Sequence, residues 1–260
     1  MKNIFVEGIQ GAGKSTLMEK VHEMYPQLKV CREGDYSPIE LAWCTWMTES
    51  DYHYILQKYD MLQKEIQKNT VQEGNHYIIT YTRILTDVPG FHKELEKYEI
   101  YQGRKSLEEF EEIIISRFRR FKETGYLFEC SFFQNIVEDM ILYYQLEDEE
   151  IVEFYRRLWK EVDMENFKMF YLFSENVEEN IRVIKKERSD QQGNEMWYPL
   201  MMEYLVCSPY GKTHGYTGFD DMISHFRHRQ ELELRIIKEV LQERACVIPA
   251  KKWREDDITC

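Results

Sequence analysis

Two spacings of apolar residues alternate along the chain. Short, nearly continuous apolar runs at Asn3–Glu7, Leu28–Arg32, His76–Arg83, Tyr126–Ser131, Lys168–Phe173 and Ala245–Ala250 have the length and β-branched or aromatic content of buried strands. Between them, apolar residues recur every three or four positions, the spacing of a helix with one buried face. This predicts helices over Lys14–Met24, ended by Pro26, over 39–73, from Ser106 to a stop at Gly125, over 133–165 with a break near the acidic run 147–150, over Asn176–Glu187, and over Asp220–Glu243. Ser106-Leu107-Glu108-Glu109 and Asn176 with Glu179 have the capping pattern of helix starts. The first opens a face of Leu107, Phe110, Ile114, Phe118 and Phe121. Residues 84–105 are irregular, with Asp87-Val88-Pro89-Gly90 as a turn, and 189–218 are polar and turn-rich. Strands alternating with helices predict an α/β fold: a mostly parallel sheet of five or six strands flanked by helices. The expected layout is one domain over 1–260, with helical insertions near 39–73 and 106–165 and a candidate lid over 185–218.

Gly8-Ile9-Gln10-Gly11-Ala12-Gly13-Lys14-Ser15 fits the pattern GxxxxGK followed by Ser or Thr, and Thr16 extends it. Its setting, directly after a predicted strand and directly before a helix, is what phosphate binding requires. Glycines let the backbone wrap a phosphate without a Cβ in the way. The loop amides and the helix N-terminus add partial positive charge. Lys14 adds a full charge at the β- and γ-phosphates, and the Ser15 hydroxyl is suited to Mg²⁺. Gly8 to Thr16 are therefore the candidate triphosphate-binding residues of a P-loop NTPase. No base-reading NKxD follows, as a GTPase switch would need, and no apolar strand ends in Asp-Glu, as in a motor ATPase. The loop reads phosphates and leaves the base, ATP or GTP, open; ATP with Mg²⁺ is the expected pairing.

Composition narrows the partners. The 260 residues carry 34 Lys and Arg against 47 Asp and Glu, a net charge of −13. That balance disfavours a nucleic-acid polymer and an anionic membrane surface, yet a nest of backbone amides can still hold a small phosphorylated ligand. No apolar run approaches the roughly 18 residues of a membrane span. The N-terminal residues do not read as a signal peptide. The cysteines at 31, 44, 130, 207, 246 and 260 show no metal-binding spacing and read as reduced thiols, so a cytoplasmic setting is expected.

The segment IFVEGIQGAGKST resembles the opening of the thymidylate kinase and deoxynucleoside kinase group. Val30-Cys31-Arg32-Glu33-Gly34-Asp35 resembles the acidic motif after that group's second strand, and Tyr126-Leu127-Phe128-Glu129-Cys130-Ser131 resembles its strand ending in an acid. Arg182-Val183-Ile184-Lys185-Lys186-Glu187-Arg188 resembles the helix leading into its basic lid. The resemblance covers residues 3 to 188 in the expected order. It implies a nucleoside/nucleotide kinase-like phosphotransferase. Glu33 or Asp35 would take the acceptor's hydroxyl proton, Glu129 would hold Mg²⁺ directly or through water, and Arg188 with Lys185 and Lys186 would neutralise the transferring phosphoryl group. Tyr36, Arg83 and Gln134 are candidate acceptor contacts. Cys130 stands where the group has an arginine; Arg83, or Arg119 and Arg120, are the candidate substitutes.

A nucleoside or nucleotide is the acceptor the resemblance implies. A hydroxylated metabolite or antibiotic is the alternative, favoured by Cys130 and by the unfamiliar stretch 189–218. A nucleotide-binding regulatory ATPase is the third reading. Trp43, Trp46, Tyr52 and Tyr54 fit core packing better than base stacking. His225, His228 and Glu231 share a helix face but fit a polar face better than a metal site. Asn135 fits a helix cap as well as a substrate donor. The final helix, with Leu232, Ile236 and Val240, suits a homodimer or internal packing equally.

Overall fold

The computed structural model describes residues 1–190 and 192–258. The chain forms two compact units, one of Met1–Val30 and Lys122 onward, the other of Cys31–Phe121. The first unit opens with β1 (Asn3–Gly8), α1 (Lys14–Met24) and β2 (Lys29–Cys31). The second contains β3 (Met47–Thr48), α2 (Glu49–Lys58), α3 (Gln63–Lys68), β4 (Thr70–Glu73), β5 (His76–Ile79), α4 (Phe91–Glu96) and α5 (Leu107–Arg120). The first unit resumes with β6 (Tyr126–Glu129), α6 (Gln134–Leu142), α7 (Asp148–Trp159), β7 (Phe167–Phe173) and α8 (Val177–Glu187). It ends with α9 (Trp197–Cys207), α10 (Pro209–His214), α11 (Phe219–Ile236) and β8 (Ala245–Pro249).

The first unit is built on a five-stranded, all-parallel sheet in the order β2-β6-β1-β7-β8, flanked by helices. β1 lies at the centre, with Phe5 opposite Phe128 of β6 and Met169 of β7. All six of its residues are buried, as expected of a parallel strand covered on both faces. The Phe5 ring stacks on Phe128 at 5.0 Å and on Phe167 at 4.4 Å, with Phe132 edge-on. The strand-to-helix boundary at Lys14–Met24 is as the sequence predicts. The expected break falls at the acidic run, which starts the next helix: Glu147 and Glu150 form a reciprocal capping box at the start of α7.

Several elements differ from the sequence reading. The stretch 39–73 is helical only over Glu49–Lys58 and Gln63–Lys68, apart from a short 3₁₀ turn. His76–Ile79 does not join the parallel sheet. It pairs antiparallel with β3 and β4 in a separate three-stranded sheet, because Gly74-Asn75 turns β4 back as a two-residue hairpin. α5 ends at Arg120, short of Gly125. Residues 189–218 are not mainly turns but carry α9 and α10. Pro199 is accommodated because it falls in the first turn of α9, where no intrahelical N–H is needed. The last long helix stops at Ile236, followed by a π-turn over Ile237–Leu241. Leu232, Ile236 and Val240 are all buried within the chain.

The second unit has its own core of Met47, Tyr52, Ile55, Leu56, Tyr59, Ile66, Ile79, Tyr81, Ile84, Phe91 and Leu95. Of the four aromatics singled out above, Tyr52 stacks on Tyr77 and Trp46 on His76, whereas Trp43 and Tyr54 are about half exposed. Among the described residues, no helix is long and apolar enough to cross a membrane.

Candidate functional site

β1 delivers the chain into the glycine-rich loop, and α1 receives it. Gly8 has φ +141°, and a Cβ there would lie 2.7 Å from the Leu172 carbonyl oxygen of β7. Any side chain would push the loop off the sheet. Gly13 is the N-cap of α1 and has no side chain to satisfy the first-turn amides. The first helical bond runs from the Leu17 N–H to Gly13 O, so the amides of Lys14, Ser15 and Thr16 have no acceptor within the helix. Lys14 is buried, and its Nζ donates to the carbonyls of Gly8 at 2.9 Å and Ile9 at 3.0 Å. The Ser15 hydroxyl donates to Glu129 Oε1 at 2.7 Å, joining the start of α1 to the end of β6. A free amide cluster, an ammonium, a hydroxyl and a carboxylate converge at the carboxyl end of a central parallel strand, where open α/β sheets bind ligands. This donor set fits a nucleotide's phosphates and Mg²⁺.

A second layer of charge lies within the same unit. Glu7, the strand residue before Gly8, is fully buried and accepts from the Phe132 N–H at 2.6 Å and the Gln134 N–H at 3.4 Å. Burial pushes its carboxyl from the ordinary 4.5 to about 7, with Glu233 adding to the rise and Lys14 opposing it. Glu233 is likewise raised by burial, against Arg229. Burial also acts to raise Glu138, but the charges of Arg229 and His225 outweigh it and hold this carboxyl at about 2. His225 Nε2, 3.2 Å from Glu138 Oε1, must then be the donor. His228 goes to a different carboxylate, Asp148, at 2.7 Å.

Of the residues expected at the site, Gly8 to Thr16, Glu129, Gln134 and Arg188 belong to this unit. Gln134 is buried at the start of α6. Arg188 is exposed at the C-cap of α8, its carbonyl accepting the Met196 N–H at 3.2 Å. Lys185 is engaged by Glu195 at 3.2 Å and by the Tyr198 ring at 3.8 Å. Cys130, where an arginine was expected, is buried with φ +56°.

The remaining expected residues lie in the second unit. Glu33 is exposed and accepts from the Trp43 indole N–H at 3.2 Å. Asp35 pairs with Arg83 through Oδ1 and accepts from the Arg32 N–H through Oδ2 at 3.0 Å. Tyr36 donates to Glu73 at 2.8 Å, and Glu73 also receives Arg117 at 2.5 Å. The candidate substitutes Arg119 and Arg120, at the end of α5, are both exposed; their neighbour Arg117, which the sequence reading did not single out, is buried and also donates to the Ser37 carbonyl.

The sequence reading missed Arg229, Glu233 and Glu138. The signal was present: Arg229 and Glu233 fall on the stripe Met222, Phe226, Ile236 that α11 buries, and Glu138 interrupts the apolar run of α6. No family model matches this chain, and no curated protein matches it.

Proposed function

We propose that the protein is a P-loop phosphotransferase that moves the γ-phosphoryl group of ATP to a small-molecule acceptor, in the manner of the thymidylate kinase and deoxynucleoside kinase-like group. The observation that carries this reading is the glycine-rich turn from β1 into α1, with the Ser15 hydroxyl bonded to Glu129. The free amides at the start of α1 would take the phosphate oxygens, and Lys14 would exchange the Gly8 and Ile9 carbonyls for them. Ser15 and Glu129 would hold Mg²⁺, which would neutralise charge on the phosphates. Lys186 and Arg188, both exposed on or just after α8, supply further positive charge for the transferring group. Glu33 or Asp35 would receive the acceptor's proton, the role the resemblance gives them. Such a reaction needs positioning and electrostatic stabilisation and no covalent enzyme intermediate.

The test is ADP release from Mg-ATP by the pure protein, alone and with nucleosides, nucleoside monophosphates, sugars and hydroxylated antibiotics. Release stimulated by one acceptor class and abolished in Lys14→Ala is the expected result. Release indifferent to every acceptor would replace the reading with that of a regulatory ATPase.

A further inference from the structure

Within the glycine-rich loop, Gln10 is held from two sides. The Asn180 side chain of α8 donates to its backbone carbonyl at 2.9 Å. Arg229 Nη2 of α11 donates to its side-chain Oε1 at 2.7 Å. The next residue, Gly11, lies so close to α8 that a Cβ would meet Ile184 Cβ at 3.1 Å and Asn180 Nδ2 at 3.3 Å. The loop is thus pinned against one helix through its backbone and against another through a side chain.

The second pin is an unusual choice. The Arg229 side chain is fully buried, with Nη1 on Glu138 of α6 and Nε 3.2 Å from Glu233 Oε1. Glu233 also accepts from Tyr171 of β7 at 2.6 Å, and Glu138 from His225 at 3.2 Å. A buried guanidinium with two carboxylates is weak evidence for stability, since apolar residues of similar size often do as well. What apolar residues cannot supply is a directed donor fixed on the Gln10 amide oxygen. Glu138 takes Nη1 and Glu233 stands beside Nε, so that Nη2 at the remaining edge of the guanidinium is left for Gln10.

We propose that Arg229 is a positioning residue for nucleotide binding, acting through Gln10 to fix the glycine-rich loop in its phosphate-receiving shape, with Asn180 as the backbone half of the same clamp. This rests on the phosphotransferase reading for its ligand, but the clamp itself can be tested without one. Its effect falls on phosphate binding through the shape of the loop, which Arg229 reaches at the Gln10 side chain.

The test uses the full chain with Gln10→Ala, which removes the acceptor and leaves the buried ion pairs whole. Arg229→Lys, which keeps the charge and loses the fork, is the companion variant. Hydrogen exchange at residues 9–13 is measured in the ligand-free protein, and Mg-ATP and Mg-ADP affinities by calorimetry. The expected result for Gln10→Ala is faster loop exchange and roughly tenfold weaker nucleotide binding, with a lowered ligand-free melting temperature because the buried Arg229 Nη2 loses its acceptor. Wild-type exchange and affinity in Gln10→Ala would overturn the proposal, whatever happens to melting. If the wild-type chain itself binds no nucleotide, the phosphotransferase reading fails, and loop exchange alone decides the clamp.

Discussion

Glu7 shows how one position can carry both fold and site. It continues an apolar strand, so its carboxylate enters the core. There it finds two backbone N–H groups at the start of α6 and the charges of Lys14 and Glu233. Because burial lifts its pKa from 4.5 to about 7, the folded protein holds this proton more tightly than the unfolded chain. Below pH 4.5 both states are protonated. Between 4.5 and about 7 the unfolded chain releases the proton first, so this contribution to stability is lost as pH rises and is gone above about 7. Glu40, accepting from Tyr101 at 2.7 Å and pushed to about 8 by burial, acts in the same direction over a window reaching about 8. Glu138 acts oppositely: its contribution is present above 4.5 and lost as pH falls toward about 2. The Glu7→Gln variant should therefore gain stability relative to wild type as pH rises from about 4 to about 8, by on the order of 3 kcal/mol. Urea unfolding at several pH values measures it. A difference that stays constant across that range would show that Glu7 does not titrate there.

At the scale of the element, legibility followed the strength of local signals. The start of α1 was readable because a glycine-rich turn follows β1 and Lys14 begins an amphipathic run, and its end because Pro26 follows closely. α8 was readable from Asn176, whose side chain accepts the Glu179 N–H at 3.1 Å. The hairpin of β4 and β5 was not, because Val71 and the polar residues around it continue the preceding helical spacing, and only Gly74-Asn75 marks the reversal. α9 and α10 were hidden for another reason. The run Trp197–Cys207 is apolar on every side apart from Glu203, so it has no amphipathic period to detect, and Pro199 reads as a breaker. The joint between the two helices is nonetheless specific. Ser208 is fully buried, donates to the Leu205 carbonyl at 2.6 Å and accepts from the Gly211 N–H at 2.9 Å, while Pro209 takes the first position of α10. Ser208→Ala removes the cap and leaves the Gly211 amide unpaired, at a cost of about 1–2 kcal/mol. Hydrogen exchange at Tyr210–His214 should accelerate by roughly 5- to 30-fold, with exchange in β1 unchanged. Unaltered exchange in α10 would mean that the helix is held by its packing and not by its cap.

Over the whole molecule, the proposed phosphate-binding groups and the candidate proton acceptors come from different units, so their roles have to be separated by chemistry. Within Cys31–Phe121, the two acids after β2 are in unlike situations. Both oxygens of Asp35 are committed, one to Arg83 and one to the Arg32 amide, while its own N–H donates to the Arg32 carbonyl at 3.0 Å. Asp35 thereby closes the turn that presents Glu33. Glu33 is exposed, and the Trp43 indole N–H orients its Oε1 at 3.2 Å. A base must offer an oxygen lone pair to the acceptor's hydroxyl, and using Asp35 in that role would first require breaking its ion pair. Glu33→Gln, which keeps an oxygen for Trp43 but removes the basic group, should lower kcat by about 10²- to 10⁴-fold with Mg-ATP affinity unchanged. Asp35→Asn weakens the Arg83 pair and loosens the turn, so its effect should fall mainly on the acceptor's KM. Steady-state kinetics of the two variants with the stimulating acceptor, beside calorimetric nucleotide binding, decide the matter. The reverse pattern, kcat lost in Asp35→Asn and kept in Glu33→Gln, would make Asp35 the base and Glu33 the residue that orients Trp43. In both cases nucleotide affinity should follow the glycine-rich loop with its Gln10 clamp, Lys14, Ser15 and Glu129, and not Glu33 or Asp35, because those groups all belong to the first unit.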